Sequence, residues 1–518
     1  MNNIIENYSS LTQKVIAFNH CTEKQVQQLL EKPTALTENN STCLLEAIKF
    51  ILAAKERNEK VFIGGDYDAD GICATTILYD ALTSLGLEVG YYIPDRIKEG
   101  YGLQETVVQQ AYDKGYSLII TVDNGVSATQ ALKKAKELGI SVIVTDHHEY
   151  TEKPECDIFV HPKEMDQPFQ TLAGAGVALQ LAEKLGGAKP LHIALAAIAT
   201  MGDVVELWDE NRVIVRLGLD LINSTEIPVI QALFSNQNKI RTEQDLSFQI
   251  VPKLNATGRL RELANPNQVV RYFLLTQISE IQKTALKLAE VNEKRKEKTL
   301  QMSVIAEKNI GDEPFIILND SRYHEGIIGI LASKLATKYH RPTLVLTEGE
   351  YGYKGSGRSI AGFNMQQFFL DGFDEFLHFG GHSQAIGFTV DKTKYEQFKE
   401  KVQTKFKIAK FEAVEADLLC EINMEEISNE SFEEYRKLAP FGQGFQDPLF
   451  SIVGLEVEKT VWIKQKFVKL IFKNGWEGIC FDPEGLSFEN FRRVIANLVV
   501  NQYGKGKEKF SISIKNIE

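Results

Sequence analysis

The chain has 518 residues, a hydrophobic content of 43% and a formal net charge of −12. A length of this order predicts about three domains, and the composition is ordinary for a globular protein. The acidic balance argues against a general nucleic-acid coat protein, because such binding depends on neutralising phosphates with basic side chains. A narrow basic groove on an otherwise acidic body stays compatible with this charge.

The sequence contains few signs of a targeting signal, a disulfide or a zinc site. Apolar runs stay well short of the roughly 20 residues that a membrane helix needs, and the N-terminus lacks the pattern of a secretory signal. Cysteines occur at six scattered positions without close pairs, so neither disulfides nor a zinc site is predicted. This spacing suits a reducing compartment, and we expect a cytoplasmic protein without membrane association.

The first part of the chain, residues 1–58, is polar and predicted to be helical. Its apolar positions recur at helical spacing in Leu44, Leu45, Ile48 and Ile51. We interpret this segment as a helical cap on the first domain.

A β-prone apolar run follows from Val61 and ends in Asp66, Asp68 and Asp70. A helix is predicted directly afterwards, so these aspartates lie in a loop at the carboxyl end of a strand, where open α/β sheets bind ligands. Carboxylates this close repel one another unless cations lie between them. The alternative is an Asx-rich turn without a ligand.

Strands and helices then alternate, which predicts a parallel sheet with helices on both faces. The predicted strands end at about residues 94, 122 and 145, and helices cover about 103–114 and 127–138. Two of these strands run into polar clusters, Asp123-Asn124-Gly125 and Asp146-His147-His148. Three separate strands thus deliver acids or histidines to one edge of a sheet, which favours a metal site over a chance arrangement.

Three later segments carry isolated candidates. Asp203 follows two predicted helices in an apolar setting, where an aspartate needs a cation or a hydrogen-bond partner; the alternative is an exposed residue in a helix C-terminal turn. Residues 252–260, with Lys253 and Arg259, could be a phosphate-facing loop or an ordinary basic turn. Residues 276–308 are predicted to form a long connecting helix whose charged run is a solvated face.

A second α/β unit begins near residue 315. A glycine-rich turn at 324–329 leads into a helix, and further glycines flank Arg358 and His382. Adjacent glycines allow backbone N–H groups and cationic side chains to approach an anion closely. The alternative is a pair of glycine-rich turns with incidental bases.

From about residue 411 the chain is rich in short β-prone runs, predicted at 450–457, 467–472, 477–481 and 509–517, after a helix at 428–438. This pattern predicts a small barrel or sandwich. Its aromatic residues with interleaved lysines would suit base stacking, although core packing is the alternative: Trp462, Phe467, Phe472 and Trp476.

Taken in order, several motifs resemble those of the DHH phosphoesterase superfamily. They are Gly65-Asp-Tyr-Asp-Ala-Asp-Gly71, Val122-Asp-Asn-Gly125, Asp146-His-His148, Ala173-Gly-Ala-Gly-Val177, Gly202-Asp203, Asn255-Ala-Thr-Gly-Arg-Leu260, His324-Glu-Gly-Ile-Ile-Gly329, Gly355-Ser-Gly-Arg-Ser359 and Phe379-Gly-Gly-His382.

The resemblance implies an α/β protein with a parallel-sheet DHH domain, a long connecting helix, a second α/β domain called DHHA1 and a C-terminal OB-like β-barrel. We expect the following boundaries: an N-terminal helical cap at 1–58, DHH at 59–275, the connecting helix at 276–308, DHHA1 at 309–408 and the OB-like domain at 409–518.

The resemblance also implies residue roles. Metal ligands would be Asp68, Asp70, Asp123, His147 and Asp203, with Asp66 and Asp146 beside them. Catalytic groups would be His148, Arg358 and His382, and phosphate-binding groups would be Arg259, His324, Ser356, Arg358, Gly380, Gly381 and His382. Carboxylates with an imidazole suit two Mn²⁺ or Mg²⁺ ions better than zinc. We expect Asp123 to bridge the ions, because its strand should lie centrally in the sheet.

The activity implied is that of a 5′-to-3′ exonuclease that degrades single-stranded DNA to 5′-mononucleotides in DNA repair and recombination. Such a monomer would work with a helicase and a single-strand-binding protein. One alternative is a DHH–DHHA1 phosphodiesterase of short oligoribonucleotides or cyclic dinucleotides, against which the β-rich tail speaks. Another is a non-catalytic scaffold of a replication assembly, which would have lost acidic ligands that this chain retains.

Overall fold

The computed structural model describes residues 5–96, 98–235, 240–370, 372–409, 419–488, 491–502 and 508–518. It contains a parallel sheet, a second α/β domain and a C-terminal domain built around a strand-rich sheet. The predicted fold class is therefore confirmed. The predicted boundary at residue 409 lies beside residues 410–418, which fall outside the described residues.

The first sheet is parallel throughout and has the order β2-β1-β3-β4-β5. Its middle strand is β3, the one that leads into Asp123, as expected from the sequence. The last strand was missed, because a run of three residues is too short to show alternation. The strands are β1 Lys60–Gly64, β2 Glu88–Tyr92, β3 Leu118–Thr121, β4 Ser141–Thr145 and β5 Ile158–Val160.

Helices cover both faces of this sheet because its strands carry apolar side chains on both sides. Val61 and Ile63 of β1 join the core under α3, α4, α7 and α8, whereas Phe62 joins the core under α5 and α6. The helices are α1 Ser10–Phe18, α2 Glu23–Leu30, α3 Thr42–Glu56, α4 Ala69–Ser84, α5 Glu105–Asp113, α6 Thr129–Glu137, α7 Gly174–Gly186 and α8 Pro190–Asp203.

The segment around Lys253 and Arg259 is helical, which corrects the prediction of a loop or turn. A π-helical turn at Leu246–Ile250 leads into a helix at Val251–Arg259. Pro252 lies in the first turn, where proline needs no backbone donor, and Leu254 is fully buried. Tertiary burial thus outweighs the polar appearance of this segment.

The helices between Asp203 and the second sheet end in a long helix, Ile278–Glu307, in the place where the predicted fold class has its connecting helix. They are α9 Asp209–Ser224, α10 Pro228–Gln231, α11 Glu243–Asp245, α12 Val251–Arg259, α13 Pro266–Phe273 and α14 Ile278–Glu307.

The second sheet has the order β6-β7-β8-β10-β9; β6 and β7 are parallel and the other pairs antiparallel. Its elements are β6 Ile316–Asn319, α15 Ile328–Tyr339, β7 Thr343–Glu348, β8 Tyr353–Arg358, α16 Met365–Leu370, β9 Phe376–His382, β10 Ala385–Val390 and α17 Tyr395–Ile408.

The glycine-rich segments at Arg358 and His382 are strands β8 and β9, which corrects the alternative of glycine-rich turns. Gly355 and Gly357 face the core, where a Cβ would lie 2.2 Å from Phe388 and 2.6 Å from Ile386. Glycine is needed here for close packing of the strand, so it does not mark a turn.

The C-terminal sheet has the order β11-β12-β16-β17-β15-β14-β13. Strands β11, β13 and β16 were not predicted: β11 has only four residues, adjacent charged residues interrupt β13, and β16 was missed although most of its residues are apolar. The elements are β11 Cys420–Asn423, α18 Asn429–Arg436, β12 Phe450–Val453, β13 Val457–Ile463, β14 Phe467–Phe472, β15 Glu477–Cys480, β16 Arg493–Gln502 and β17 Glu508–Ile517.

The N-terminal segment does not act as one cap on the first domain, and this expectation is corrected. Helices α1 and α2 bury Leu11, Val15 and Leu29 in the core of the C-terminal domain, while α3 packs against the parallel sheet. The N-terminal residues therefore complete a domain that lies at the other end of the chain.

Within the described ranges, no helix has the length and apolar character needed to span a bilayer.

Candidate metal centre

The loop after β1 brings the first group of acids together. Asp68 is the N-cap of α4, and its carboxylate accepts from the N–H groups of Asp70 and Gly71 at 2.9 and 3.1 Å. The Asx-type turn considered from the sequence is therefore present, and it aims the neighbouring acids into the site. A Cβ at Gly71 would lie 2.5 Å from the carbonyl oxygen of Asp66, so only glycine permits this tight turn.

Asp70 is held by the start of α7. The backbone N–H groups of Gly174 and Ala175 each donate to its carboxylate at 2.7 Å. A helix N-terminus stabilises negative charge, so α7 orients this buried carboxylate. The glycine at 174 is required for a second reason, because a Cβ there would lie 2.8 Å from Oδ1 of Asp123.

Asp123 lies at the end of the central strand with a positive φ of 60°. Such backbone geometry is uncommon for a residue other than glycine and marks positions that carry functional constraints. It turns the carboxylate towards His147, whose Nε2 lies 3.1 Å from Asp123 Oδ1. The structure therefore places the predicted bridging residue at the middle of the site.

Asp203, the last residue of α8, closes the group. His147 Nε2 lies 3.6 Å from Asp203 Oδ2 and 3.7 Å from Asp70 Oδ2. Asp203 is about a quarter exposed, so it borders the open side of the site. Of the two interpretations weighed for Asp203, the structure supports the one with close polar neighbours.

Three sets of side chains offer atoms that all lie within 4.8 Å of one another: Asp70 with His147 and Asp203, Asp66 with Asp68 and Asp123, and Asp123 with His147 and His148. Asp66 thus stands among the potential ligands, although the sequence predicted it beside them. Asp66 Oδ1, Asp123 Oδ1 and His147 Nε2 are buried without a hydrogen-bond partner. Carboxylate oxygens with a single imidazole suit Mn²⁺ or Mg²⁺, so these residues fit divalent ions.

The electrostatics of the carboxylates also call for cations. Burial and the neighbouring Asp68 raise the pKa of Asp70 to about 7, and burial with Asp70 raises the pKa of Asp203 to about 8. The pKa values of Asp66 and Asp123 are raised as well, first by burial and then by the other acids. Divalent ions would offset this repulsion and keep the carboxylates charged.

His147 and His148 have pKa values shifted in opposite directions. Burial, together with the charge of His148, lowers the pKa of His147 to about 3, which keeps its ring neutral and able to bind a metal. Burial alone would lower the pKa of His148, but its 2.8 Å contact with Asp146 raises it to about 9. Asp146, predicted to lie beside the ligands, therefore orients and charges His148.

Asp146 is itself fixed by backbone donors. Its carboxylate accepts from the N–H groups of Val126, His147 and His148 at 3.0, 2.7 and 3.1 Å. Burial raises the pKa of Asp146, but the contacts with His148 and the backbone donors together hold this pKa below its usual value.

Sequence reasoning missed several residues that shape the site. Tyr101 donates to the carbonyl of Asp123 at 3.0 Å and contacts His148 Nδ1 at 3.0 Å. Asn255 accepts from the N–H of Ala69 at 2.7 Å and so holds the first acidic loop. His161 lies 3.0 Å from the carbonyl of His148. Only Asn255 had a signal, its place beside Arg259 in a glycine-containing segment.

A basic cleft lies between the two α/β domains, and Arg96 on its wall lies 4.9 Å from the ring centre of Tyr67 in the acidic loop. A cavity of about 340 Å³ is lined on one side by Arg96 and Arg259 and on the other by Lys354, Ser356 and Gly380. The pKa of Arg259 is lowered to about 9, by burial first and then by the charges of Arg96, Arg295 and Arg358. Clustered guanidinium groups of this kind favour an anionic ligand.

The other predicted phosphate-binding residues lie on β8 and β9 or beside them. Arg358 donates to Ser356 Oγ at 3.1 Å, and Gly381 and His382 continue the exposed strand β9. His324 instead lies 3.2 Å from Glu262 and accepts from the N–H of Gly326. Its ring thus joins the two domains.

The aromatic residues proposed for stacking divide into two kinds. Phe472 is 1% exposed and belongs to the core, and Trp476 packs against Phe432 and Phe510. Trp462 is 56% exposed and Phe467 is half-buried. Core packing therefore explains two of the four residues.

Models of known protein families match this chain in the same order of domains. The chain matches the DHH family N-terminal domain over residues 60–202, the DHHA1 domain over 312–408 and the RecJ OB domain over 420–516.

Two curated relatives are named single-stranded-DNA-specific exonuclease RecJ. The protein of Bacillus subtilis is 36% identical over 451 residues, which cover 83% of this chain and 56% of that protein. The protein of Dickeya dadantii is 33% identical over 453 residues, covering 79% of this chain and 77% of that protein. The chain thus spans little more than half the length of the Bacillus relative.

Solved structures agree with this similarity. RecJ from Thermus thermophilus in complex with Mn²⁺ superposes with a TM-score of 0.84 at 25% identity, covering 100% of this chain and 77% of that chain. An exonuclease RecJ bound to manganese gives a TM-score of 0.63 at 30% identity, covering 73% and 97%.

Proposed function

We propose that this chain, which belongs to the RecJ family of single-stranded-DNA-specific exonucleases, hydrolyses single-stranded DNA from the 5′ end to 5′-mononucleotides. The observation that carries the proposal is the convergence of acids and His147 on one sheet edge, with three buried polar atoms lacking partners. A cleft lined with Arg96 and Arg259 lies nearby, and Arg96 lies 4.9 Å from the ring centre of Tyr67 in the acidic loop.

The expected cofactors are two Mn²⁺ or Mg²⁺ ions, held by Asp68, Asp70, Asp123, His147 and Asp203, with Asp66 as a further ligand. Asp123 and His147 each belong to two of the three ligand groups, which supports two neighbouring ions that share residues. When bound, such ions act as Lewis acids and lower the pKa of a coordinated water towards neutrality.

The protein groups around that centre have separate tasks. Asp146 keeps His148 protonated at neutral pH, so His148 can stabilise negative charge or deliver a proton to the leaving oxygen. Arg358 and His382 stand on the opposite domain and would neutralise charge on the phosphate. Arg259 and Ser356 would hold the backbone of the strand in register with the acids.

The shape of the cleft supports a single strand as substrate. A gap between two domains lined by arginines and glycine backbone would suit one sugar–phosphate chain, and the C-terminal OB domain would offer further surface for it. The same domain distinguishes this chain from the alternative phosphodiesterases of short oligoribonucleotides. The filled acidic positions argue against a non-catalytic scaffold.

The finer expectations stay part of this proposal. We propose that the protein acts as a monomer in DNA repair and recombination, in the cytoplasm, together with a helicase that supplies single strands and a single-strand-binding protein. The boundaries at 59–275, 276–308, 309–408 and 409–518 are proposed on the same basis.

One experiment tests the activity directly. Single-stranded DNA labelled at the 5′ or the 3′ end is incubated with the protein and Mn²⁺, Mg²⁺ or a chelator. We expect the 5′ label to appear at once as mononucleotide and the 3′ label to remain on progressively shorter fragments. Release of the 3′ label as the first product, or equal hydrolysis with the chelator, would contradict the proposal.

A further inference from the structure

The second sheet turns one face towards the cleft, and the strand register arranges its residues in rows. Partners across β8, β10 and β9 lie side by side and point to the same face. The rows are Arg358–Ala385–His382, Ser356–Gly387–Gly380 and Lys354–Thr389–His378.

Burial distinguishes the face of the second sheet that packs on the core from the face that lines the cleft. The intervening residues Gly355, Gly357, Ile386 and Phe388 are buried in the core, whereas the residues of the three rows are half-buried or exposed. All six residues of the second and third rows line the 340 Å³ cavity opposite Arg96 and Arg259. The rows thus form the floor of the cleft.

The middle row is a trough. A Cβ at Gly380 or Gly387 would meet nothing within 4 Å, so these positions leave open space where side chains would otherwise stand. The first and third rows carry a cationic or titratable residue on each outer strand. Two polar rows therefore flank a strip of nearly bare backbone.

The row spacing suits a polymer. Adjacent rows are two residues apart along each strand, or about 6.8 Å, which is the order of length of one sugar–phosphate repeat in an extended strand. The first and third rows are four residues apart, about 14 Å, which corresponds to two such repeats, and the trough between them offers room for the part of the strand that joins the two phosphates.

We propose that Lys354, Thr389 and His378 form a further phosphate-binding subsite. It holds one backbone phosphate of the DNA strand while another phosphate of the same strand lies at Arg358 and His382. The subsite deepens the proposed function and rests on it. It would give the enzyme a grip on the strand that is separate from the hydrolytic centre.

The charges around this row support an anion. Lys354 contacts the carboxylate of Glu325, which lines the same cavity. This carboxylate would repel a phosphate bound there. Arg96 and Arg259 add two positive charges on the facing wall, so the cavity as a whole remains cationic. Glu325 therefore weakens the subsite, and its removal should strengthen binding.

The test compares opposite changes on the full-length protein. Lys354→Met with His378→Ala should raise KM for single-stranded DNA about tenfold, since one lost charged contact is worth about 1.4 kcal/mol, while kcat changes little. Glu325→Gln should lower KM severalfold. Lys392→Met, which removes an exposed lysine paired with Glu348, is the matched control and should leave both constants unchanged.

Substrates with a single uncharged methylphosphonate linkage, placed in turn at each position near the 5′ end, identify the contacted phosphate. The wild-type protein should lose affinity at one linkage, and the double variant should show no further loss there. Circular dichroism and thermal unfolding check that the variants are folded.

Equal sensitivity of wild type and double variant at every linkage would overturn the subsite while leaving the nuclease proposal intact. A KM for Glu325→Gln that stays at or above the wild-type value would overturn it too, independently of how the double variant folds. Loss of Mn²⁺-dependent hydrolysis in the wild type would instead remove the proposed function.

Discussion

The two α/β domains use their sheets in different ways. In the first domain most of the candidate metal ligands lie beyond the carboxyl ends of parallel strands, and they converge on Asp123 and His147. In the second domain they lie on the face of an antiparallel portion of the sheet, at regular intervals along β8 and β9.

This difference has a physical origin. Loops at the ends of parallel strands bring groups from distant sequence positions to one point, which suits a metal centre with many ligands. A pleated face repeats every two residues and therefore suits a ligand that itself repeats. On the proposed function, the cleft would combine a reactive centre at one point with a surface whose regular spacing matches a polymer.

The largest expected effect concerns the reactive centre. Asp123→Asn should reduce Mn²⁺-dependent hydrolysis by about a thousandfold or more, because it removes a charged group from the centre of the metal ligands. Asparagine tolerates the positive φ of this position, so the fold should remain and the dissociation constant for single-stranded DNA should stay close to the wild-type value.

Asp113→Asn, at the exposed end of α5, is the control for this change. Substantial hydrolysis by Asp123→Asn, measured by release of labelled mononucleotide, would refute a converging metal site and with it the contrast between the domains.

The second prediction tests the repeating face. Gly380→Leu should fill the trough and reduce kcat/KM for single-stranded DNA by about 10- to 100-fold, because the strand can no longer lie in register with the acids. A Cβ at this position has open space around it, so the melting temperature should change little.

Gly186→Leu is its control, since Gly186 also has open space but lies at the end of α7 on the exterior. Wild-type kinetics for Gly380→Leu would show that the strand runs elsewhere.

A smaller effect is expected where a helix supports the acidic loop. Asn255→Ala removes the acceptor for the N–H of Ala69 and should reduce kcat about tenfold, as is usual for residues that orient metal ligands. Metal titrations monitored by activity should show a higher Mn²⁺ requirement. The control Asn309→Ala, at an exposed helix end, should behave as wild type; an unchanged Mn²⁺ requirement in Asn255→Ala would count against this support.

The smallest effect concerns stability in the absence of metal. Asp70, Asp203 and His148 have folded-state pKa values raised to about 7, 8 and 9, so the folded protein binds more protons than the unfolded chain. The stability that these three groups add to the folded protein is therefore lost as the pH rises through these pKa values. His147, with its pKa lowered to about 3, no longer contributes to the slope above about pH 6.5.

Between about pH 6.5 and pH 9 the metal-free protein should thus become less stable, by more than about 2 °C in Tm, and added Mn²⁺ should restore more stability at the higher pH. Calorimetry with and without chelator checks this. A metal-free Tm that rises across this range would show that the acids do not repel one another as their burial implies.

Much of the first domain could be predicted because its determinants are local. Apolar runs ending in Asp70, Asp123 and His147 place these residues at strand ends, and parallel pairing makes all strand ends of one type meet at one edge. The second domain was harder, since Gly355 and Gly380 resemble turn residues until Phe388 and the open cleft are seen beside them.

The sequence by itself determined the alternation of strands and helices from β1 to β4, the acids and histidines that follow β1, β3 and β4, and the family of the protein, because these follow from neighbours along the chain. Only the tertiary structure decided that α1 and α2 complete the C-terminal core, that Asn255 holds the acidic loop and that Lys354 and His378 share a row. Such pairings depend on burial and register between segments far apart in sequence, which no local pattern encodes.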